Sequence, residues 1–150
     1  MSLILAAALL CCPPDDVPPS RLAVAVRPTD LDAKGHVNNA RHLEYLQWGR
    51  WRWLEDHGLS DESLRSSGAV LVAVHVEIDY RAECRYGDTL AVTTTAAADG
   101  EKKVVFRQEI RRPDGTLAAE AKTIMVAIDP GTRKSRALPD ALKRLAVRQE

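Results

Sequence analysis

Asp30-Leu31-Asp32-Ala33-Lys34-Gly35-His36-Val37-Asn38-Asn39 runs without a break into Ala40-Arg41-His42-Leu43-Glu44-Tyr45-Leu46-Gln47-Trp48-Gly49-Arg50-Trp51-Arg52-Trp53-Leu54-Glu55-Asp56-His57-Gly58. This is a polar loop joined to one long helix. Asn38 and Asn39 stand where an N-cap belongs, because an Asn side chain accepts from the free amides of a first turn. The helix is predicted from about Ala40 to His57. It stops at Gly58, which reaches the left-handed conformation common past a helix end. At ~100° per residue, Tyr45, Leu46, Gly49 and Trp53 share one broad face that Leu43 and Leu54 extend. Trp48 and Trp51 flank Glu44 and Glu55 opposite. A helix this apolar all round is enclosed rather than laid on a surface, and at ~27 Å it crosses a small domain.

The flanking sequence supplies the enclosure. Leu22 to Arg27 alternates with period two and ends before Pro28, a short strand. A polar turn or short helix at Ser60 to Ser67 follows the long helix. Val70, Val72, Val74, Val76, Ile78 and Tyr80 then alternate with more polar neighbours, which predicts a long strand with one apolar face. Thr89 to Ala98, Lys102 to Arg111 and Thr116 to Asp129 read as three further strands. Asp99-Gly100 and Pro113-Asp114-Gly115 are the hairpin signals between them. Pro139 to Val147 predicts a terminal helix. Five strands and one apolar helix give an α+β arrangement, an antiparallel sheet whose buried face covers the helix. One sheet cannot enclose a helix completely, and the strand over residues 70–80 is left with an open edge. A homodimer is therefore expected, alone or paired into a dimer of dimers.

With 150 residues the chain makes one domain. Lys plus Arg and Asp plus Glu both number 21, so net charge is zero and no basic footprint points to nucleic acid. Cys11, Cys12 and Cys84 form neither a disulfide framework nor a metal-ligand pattern, which fits a reducing, cytoplasmic compartment. The apolar run from Ser2 to Leu10 falls well short of the ~20 residues of a membrane span and lacks a basic flank and a small-x-small cleavage site. Residues 1–20 are read as a tail outside the fold, and 21–150 as the domain.

The order of elements and the motifs together resemble the hotdog fold, a five-stranded antiparallel sheet wrapped around one long central helix. Asp30-Leu31-Asp32, Gly35-His36-Val37-Asn38-Asn39-Ala40-Arg41, Leu43-Glu44-Tyr45 and Arg50 resemble the bacterial long-chain acyl-CoA thioesterase III group. The likeness continues through Ile78-Asp79-Tyr80-Arg81 to Ala137-Leu138. Tyr80-Arg81-Ala82-Glu83-Cys84 is also similar to a run in the plant acyl-carrier-protein thioesterases. These share Asp-Leu-Asp and His-Val-Asn-Asn but carry Asn where this chain has Lys34, a departure that favours the bacterial reading. The resemblance implies that Asp32 is the catalytic acid, that the Asn39 amide polarises the thioester carbonyl, and that His36 and Glu83 assist. It implies no cofactor and no metal.

That chemistry suits the local sequence. First-turn amides lack intrahelical acceptors and sit at the positive end of the helix dipole, where they can stabilise a developing oxyanion. Asp32, seven residues upstream of Asn39, can orient a water as base, or attack as nucleophile to form a mixed anhydride. Asp30 reads as an acid held by local amides, and His42, His57 and His75 as structural. Cys84 reads as a buried hydrophobe rather than a nucleophile. Gly49 makes room for an acyl chain or for a close strand. With Tyr45 and Arg81 it forms the expected substrate-binding set.

The expected activity is hydrolysis of a medium- or long-chain acyl-CoA. The competing readings are an acyl-carrier-protein thioesterase, a non-catalytic acyl-CoA-binding module and a hotdog-type hydratase.

Overall fold

The computed structural model describes residues 17–146; the tail expectation for residues 1–16 lies outside them. Five strands, β1 (Ser20–Ala25), β2 (Val70–Tyr80), β3 (Thr89–Asp99), β4 (Lys103–Arg111) and β5 (Leu117–Ile128), form one sheet in the order β1-β3-β4-β5-β2. Every neighbouring pair is antiparallel. The helices are α1 (Asn39–Asp56), α2 (Asp61–Ser66) and α3 (Asp140–Leu145). The first strand begins two residues earlier than the alternation predicts, and a single 3-10 turn, Pro28–Asp30, opens what reads in sequence as plain loop.

α1 starts and stops for identifiable reasons. The Asn38 side chain accepts from the Ala40 amide at 2.9 Å, satisfying one orphan donor of the first turn. At the far end Gly58 takes φ +74°, and the Leu59 amide reaches back to the Leu54 carbonyl at 2.8 Å. That is a Schellman termination, with buried Leu59 and Leu54 supplying its apolar contact.

α1 packs against β1, β3 and β4. Two apolar clusters result. One gathers Trp53, Leu54, Phe106 and Val104 with Leu142 of α3; the other gathers Tyr45, Leu46, Leu90, Val92 and Ile110. Trp53 meets Phe106 edge to face at 5.7 Å, and each such fully buried side chain contributes about 1.5–3 kcal/mol of burial. Within the same helix–sheet layer sits a polar group. Arg50 donates to Gln108 Oε1 at 3.0 Å and to Thr123 Oγ1 at 3.3 Å, and Gln108 Nε2 donates to the Leu46 carbonyl at 2.8 Å and to Thr94 Oγ1 at 2.9 Å. Burial lowers the Arg50 pKa to about 10, leaving it charged at neutral pH.

α1 is not enclosed on every side: Leu43 and Trp51 are 42% and 49% exposed. β2 departs further from its expected apolar face. It lies at the sheet edge, pairing only with β5 among the described residues, and Val72, Val74 and Val76 are exposed. Its register shifts between Ala73 and His75, an irregularity that leaves Val74 outside the ladder.

Candidate active site

The polar loop is a small hairpin rather than an irregular connection. Leu31 bridges Val37, the Asp32 amide donates to the His36 carbonyl at 2.8 Å, and Gly35 turns the chain at φ +79°. His36 bridges Arg85, and the Val37 amide donates to the Cys84 carbonyl at 2.9 Å. The segment after β2 is thereby laid beside the loop, and residues far apart in sequence meet.

The two acids of Asp30-Leu31-Asp32 have opposite surroundings. Asp30 is fully buried, and its carboxylate accepts from the Arg27 amide at 2.9 Å, the Arg27 guanidinium at 3.1 Å and the Tyr45 hydroxyl at 2.9 Å. Burial pushes its pKa up, but the Arg27 and Tyr45 hydrogen bonds outweigh it and hold the group below its ordinary value. This carboxylate is a joint between the end of β1 and α1, a stronger structural role than sequence suggested. Asp32 is more open. Its Oδ1 accepts from the amides of Lys34 at 2.8 Å and His36 at 3.3 Å, and these, the Lys34 amide first, lower its pKa. Oδ2 accepts no hydrogen bond from the described residues. Asp32 is thus an ionised carboxylate, anchored through one oxygen and open at the other.

A cleft of about 500 Å3 collects Asp32, Lys34, His36, Asn39, Arg81 and Glu83, with Val37, His42, Tyr80 and Ala82 completing its wall. His36 Nε2 lies 2.6 Å from Glu83 Oε2, and the other Glu83 oxygen is bound by Arg85. The Tyr80 hydroxyl donates to the Asn39 carbonyl at 2.9 Å, tying the end of β2 to the start of α1. Arg81 is half exposed and paired with Glu120 and Asp79. Five residues singled out in sequence, Asp32, His36, Asn39, Arg81 and Glu83, therefore line one cleft.

Tyr45 and Gly49 do not line it. Tyr45 is fully buried with its hydroxyl on Asp30, which, after burial, raises its pKa strongly. At Gly49 an added Cβ would stand 2.7 Å from Val92 Cγ1, 2.8 Å from Gln108 Nε2 and 2.9 Å from Thr94 Oγ1. The missing side chain accommodates a close strand, one of the two options its position allowed. Cys84 is buried, and burial pushes its thiol up to about 11, so no thiolate forms at neutral pH. Sequence did not assign five wall residues, Lys34, Val37, His42, Tyr80 and Ala82. His42 was findable: three residues after Asn39, it shares that residue's helix face.

This geometry has relatives. The chain is 34% identical over 121 residues to the long-chain acyl-CoA thioesterase FadM of Escherichia coli K12, covering 80% of this chain and 91% of that protein. It is 30% identical over 122 residues to the acyl-CoA thioester hydrolase YbgC of Escherichia coli O6:H1, covering 81% and 91%. The crystal structure of Slr0204, a 1,4-dihydroxy-2-naphthoyl-CoA thioesterase from Synechocystis, superposes with a TM-score of 0.79 at 27% identity, covering 85% of this chain and 95% of that one. The sheet and helix are those of the hotdog fold. Residues 26–145 match the Thioesterase-like superfamily, and the chain is a thioester-hydrolysing enzyme belonging to that family.

Proposed function

We propose that this chain hydrolyses a medium- or long-chain acyl-CoA to the free fatty acid and CoA. The observation that carries the reading is the meeting, in one cleft, of an ionised carboxylate and the first turn of the long helix. The thioester carbonyl oxygen sits at the Asn39 amide, where the dipole and the unpaired N–H stabilise charge as it develops. Asp32 takes through its open oxygen the proton of a water that attacks the carbonyl carbon, and the C–S bond breaks as the CoA thiolate leaves and recovers that proton; or the carboxylate attacks that carbon itself, expelling the thiolate to form a mixed anhydride that water cleaves, which frees the fatty acid and restores Asp32. His36, oriented by Glu83, faces the same space and positions the water. Arg81 stands at the rim as a cation for the carrier's phosphates, its charge shared with Glu120 and Asp79.

The functional unit in this reading is a homodimer acting in the cytoplasm. The exposed edge of β2 supports the dimer, since a strand paired on one side only among the described residues, with exposed valines, is a template for a second copy.

The test is thiol release from acyl groups of graded length carried on CoA and on acyl carrier protein. Release from medium or long acyl-CoA, abolished by Asp32→Asn, supports the proposal. Release from the carrier protein alone reassigns the carrier, and a tight acyl-CoA complex without release makes the chain a binding module. Addition of water to an enoyl-CoA without thiol release makes it a hydratase.

A further inference from the structure

His42 presents an unanswered acceptor in the cleft wall. The ring is buried, 4% exposed, and its Nδ1 lies 3.2 Å from the Asn38 carbonyl. A carbonyl only accepts, so Nδ1 carries the proton. Burial lowers the His42 pKa, which keeps the ring neutral at pH 7 and leaves Nε2 with a bare lone pair. That atom is buried and has no hydrogen-bond partner. Its aromatic neighbours cannot answer it: Tyr80, edge-on at 5.2 Å, donates its hydroxyl to the Asn39 carbonyl, and Tyr45, at 6.2 Å, donates to Asp30. A buried acceptor left unpaired costs free energy that a donor recovers on arrival.

The ring's position says what kind of donor that is. Helical side chains lean toward the N-terminus, and the bond to Asn38 fixes this ring against the first turn of α1, beside the Asn39 amide that holds the thioester carbonyl. The Tyr80 ring edge-on to it is half exposed and lines the same cleft. With the thioester carbonyl at the Asn39 amide, as in the reading above, the substrate group beside the His42 ring is the part of the acyl chain next to the thioester. An unsubstituted alkyl chain has no donor to offer.

We infer that His42 is a specificity-determining residue, its Nε2 accepting a hydrogen bond from a hydroxyl carried on the acyl group close to the thioester, as in a 3-hydroxyacyl-CoA. The inference rests on the thioesterase reading above and narrows its substrate class. A site built to bind a hydroxyl rejects the analogue that lacks one far better than an apolar pocket rejects an extra methylene.

The experiment compares kcat/KM for a 3-hydroxyacyl-CoA and the saturated acyl-CoA of the same length, in the wild type, His42→Phe and His42→Gln. The wild type favours the hydroxylated substrate by on the order of tenfold or more. His42→Phe, which keeps a ring between the two tyrosines but no acceptor, loses that preference, and His42→Gln, which restores an acceptor, recovers part of it. Turnover of both substrates by the wild type without preference overturns the inference and leaves the thioesterase reading intact. An equal fall for both substrates in His42→Phe overturns it as well, since His42 would then act on the water common to both reactions. Absence of thiol release from either substrate in the wild type removes the thioesterase reading and the inference with it. The wild-type ratio and the Gln variant decide the matter even where His42→Phe folds poorly.

Discussion

The Tyr45 hydroxyl donates to the Asp30 carboxylate at 2.9 Å, and both residues are fully sealed from solvent. The bond links the 3-10 turn to the second turn of α1, and Arg27 completes the joint from the end of β1. The loop that carries Asp32 is therefore anchored at its start by buried contacts.

Breaking the joint destabilises the fold. A hydrogen bond to a buried charge is worth about 1.5–3 kcal/mol. Tyr45→Phe and Asp30→Asn each lose stability on that order, and the double variant loses less than the sum, because both remove the same bond. Urea unfolding of the four proteins measures the coupling. The pH dependence has a definite sign. The folded-state pKa of Asp30 lies below the ordinary value of an aspartate, so its stabilisation is complete above that ordinary value and is lost as pH falls through the lower, folded one. Thermal melts of the wild type weaken in that acid window, and the Asp30→Asn protein lacks this component.

Asp32 differs in kind. Asp32→Asn keeps the hairpin, since an amide oxygen still accepts from Lys34 and His36, but removes the charge that the proposed mechanism uses. Turnover falls by roughly 10²–10⁴-fold with little change in melting temperature. The Lys34 amide holds the Asp32 pKa below the ordinary value of an aspartate. The kcat/KM profile carries no acid limb from Asp32 near neutrality. An acid limb between pH 5 and 7 that vanishes in Asp32→Asn would contradict this assignment.

His36 and Glu83 are in contact, with nitrogen and oxygen 2.6 Å apart, and the proposed mechanism uses them as a pair. Residues that work as a unit lose their function together. His36→Ala and Glu83→Ala each lower kcat/KM by on the order of tenfold or more, and the double variant is no worse than the poorer single one. Fully additive losses would mean that the contact carries no shared role.

The helix, its caps and the strand spans were legible because local rules set them: Asn38 capping, Gly58 ending, period two in β2 and β3. The alternation of β2 could not reveal which side of its apolar residues meets solvent, because that depends on sheet order, and β2 ended at an edge. The cleft was legible where motif residues sit next to one another, as with Asp32, His36 and Asn39. It was not legible for Tyr45 and Gly49. Their helix face is right for a ligand, but Asp30 claims the first, and Val92, Thr94 and Gln108 claim the space beside the second. Such long-range partners leave no trace in spacing.

Gly49 sets two effects against each other. Alanine gains about 1 kcal/mol in helix propensity over glycine. Its Cβ, however, would enter a space where three side-chain atoms already stand within 2.9 Å, and overpacking of this kind costs about 1–3 kcal/mol. Packing wins because Val92 and Gln108 are themselves buried and held, the latter by hydrogen bonds to Leu46 and Thr94. Gly49→Ala therefore melts below the wild type, and a rise in melting temperature would show that the strands yield.

The last prediction concerns the open edge. Val72, Val74 and Val76 are 39%, 59% and 42% exposed on a strand whose second side is unpaired among the described residues, a combination that invites a second copy unless charge blocks it. His75 and Glu77 carry the strand's polar character, and they pair with each other at 2.8 Å. A lysine at the Val74 irregularity would bring two like charges together wherever two β2 strands meet about a two-fold axis. Val74→Lys is expected to convert a dimer to a monomer by sedimentation velocity while its folded core, which Val74 does not join, stays intact by near-ultraviolet circular dichroism. The β2 end also supplies Tyr80 and Arg81 to the cleft, so a dimer that steadies this strand steadies the site. Lower thiol release by the monomer at equal folded concentration follows, whereas a Val74→Lys protein that remains dimeric would move the interface away from β2.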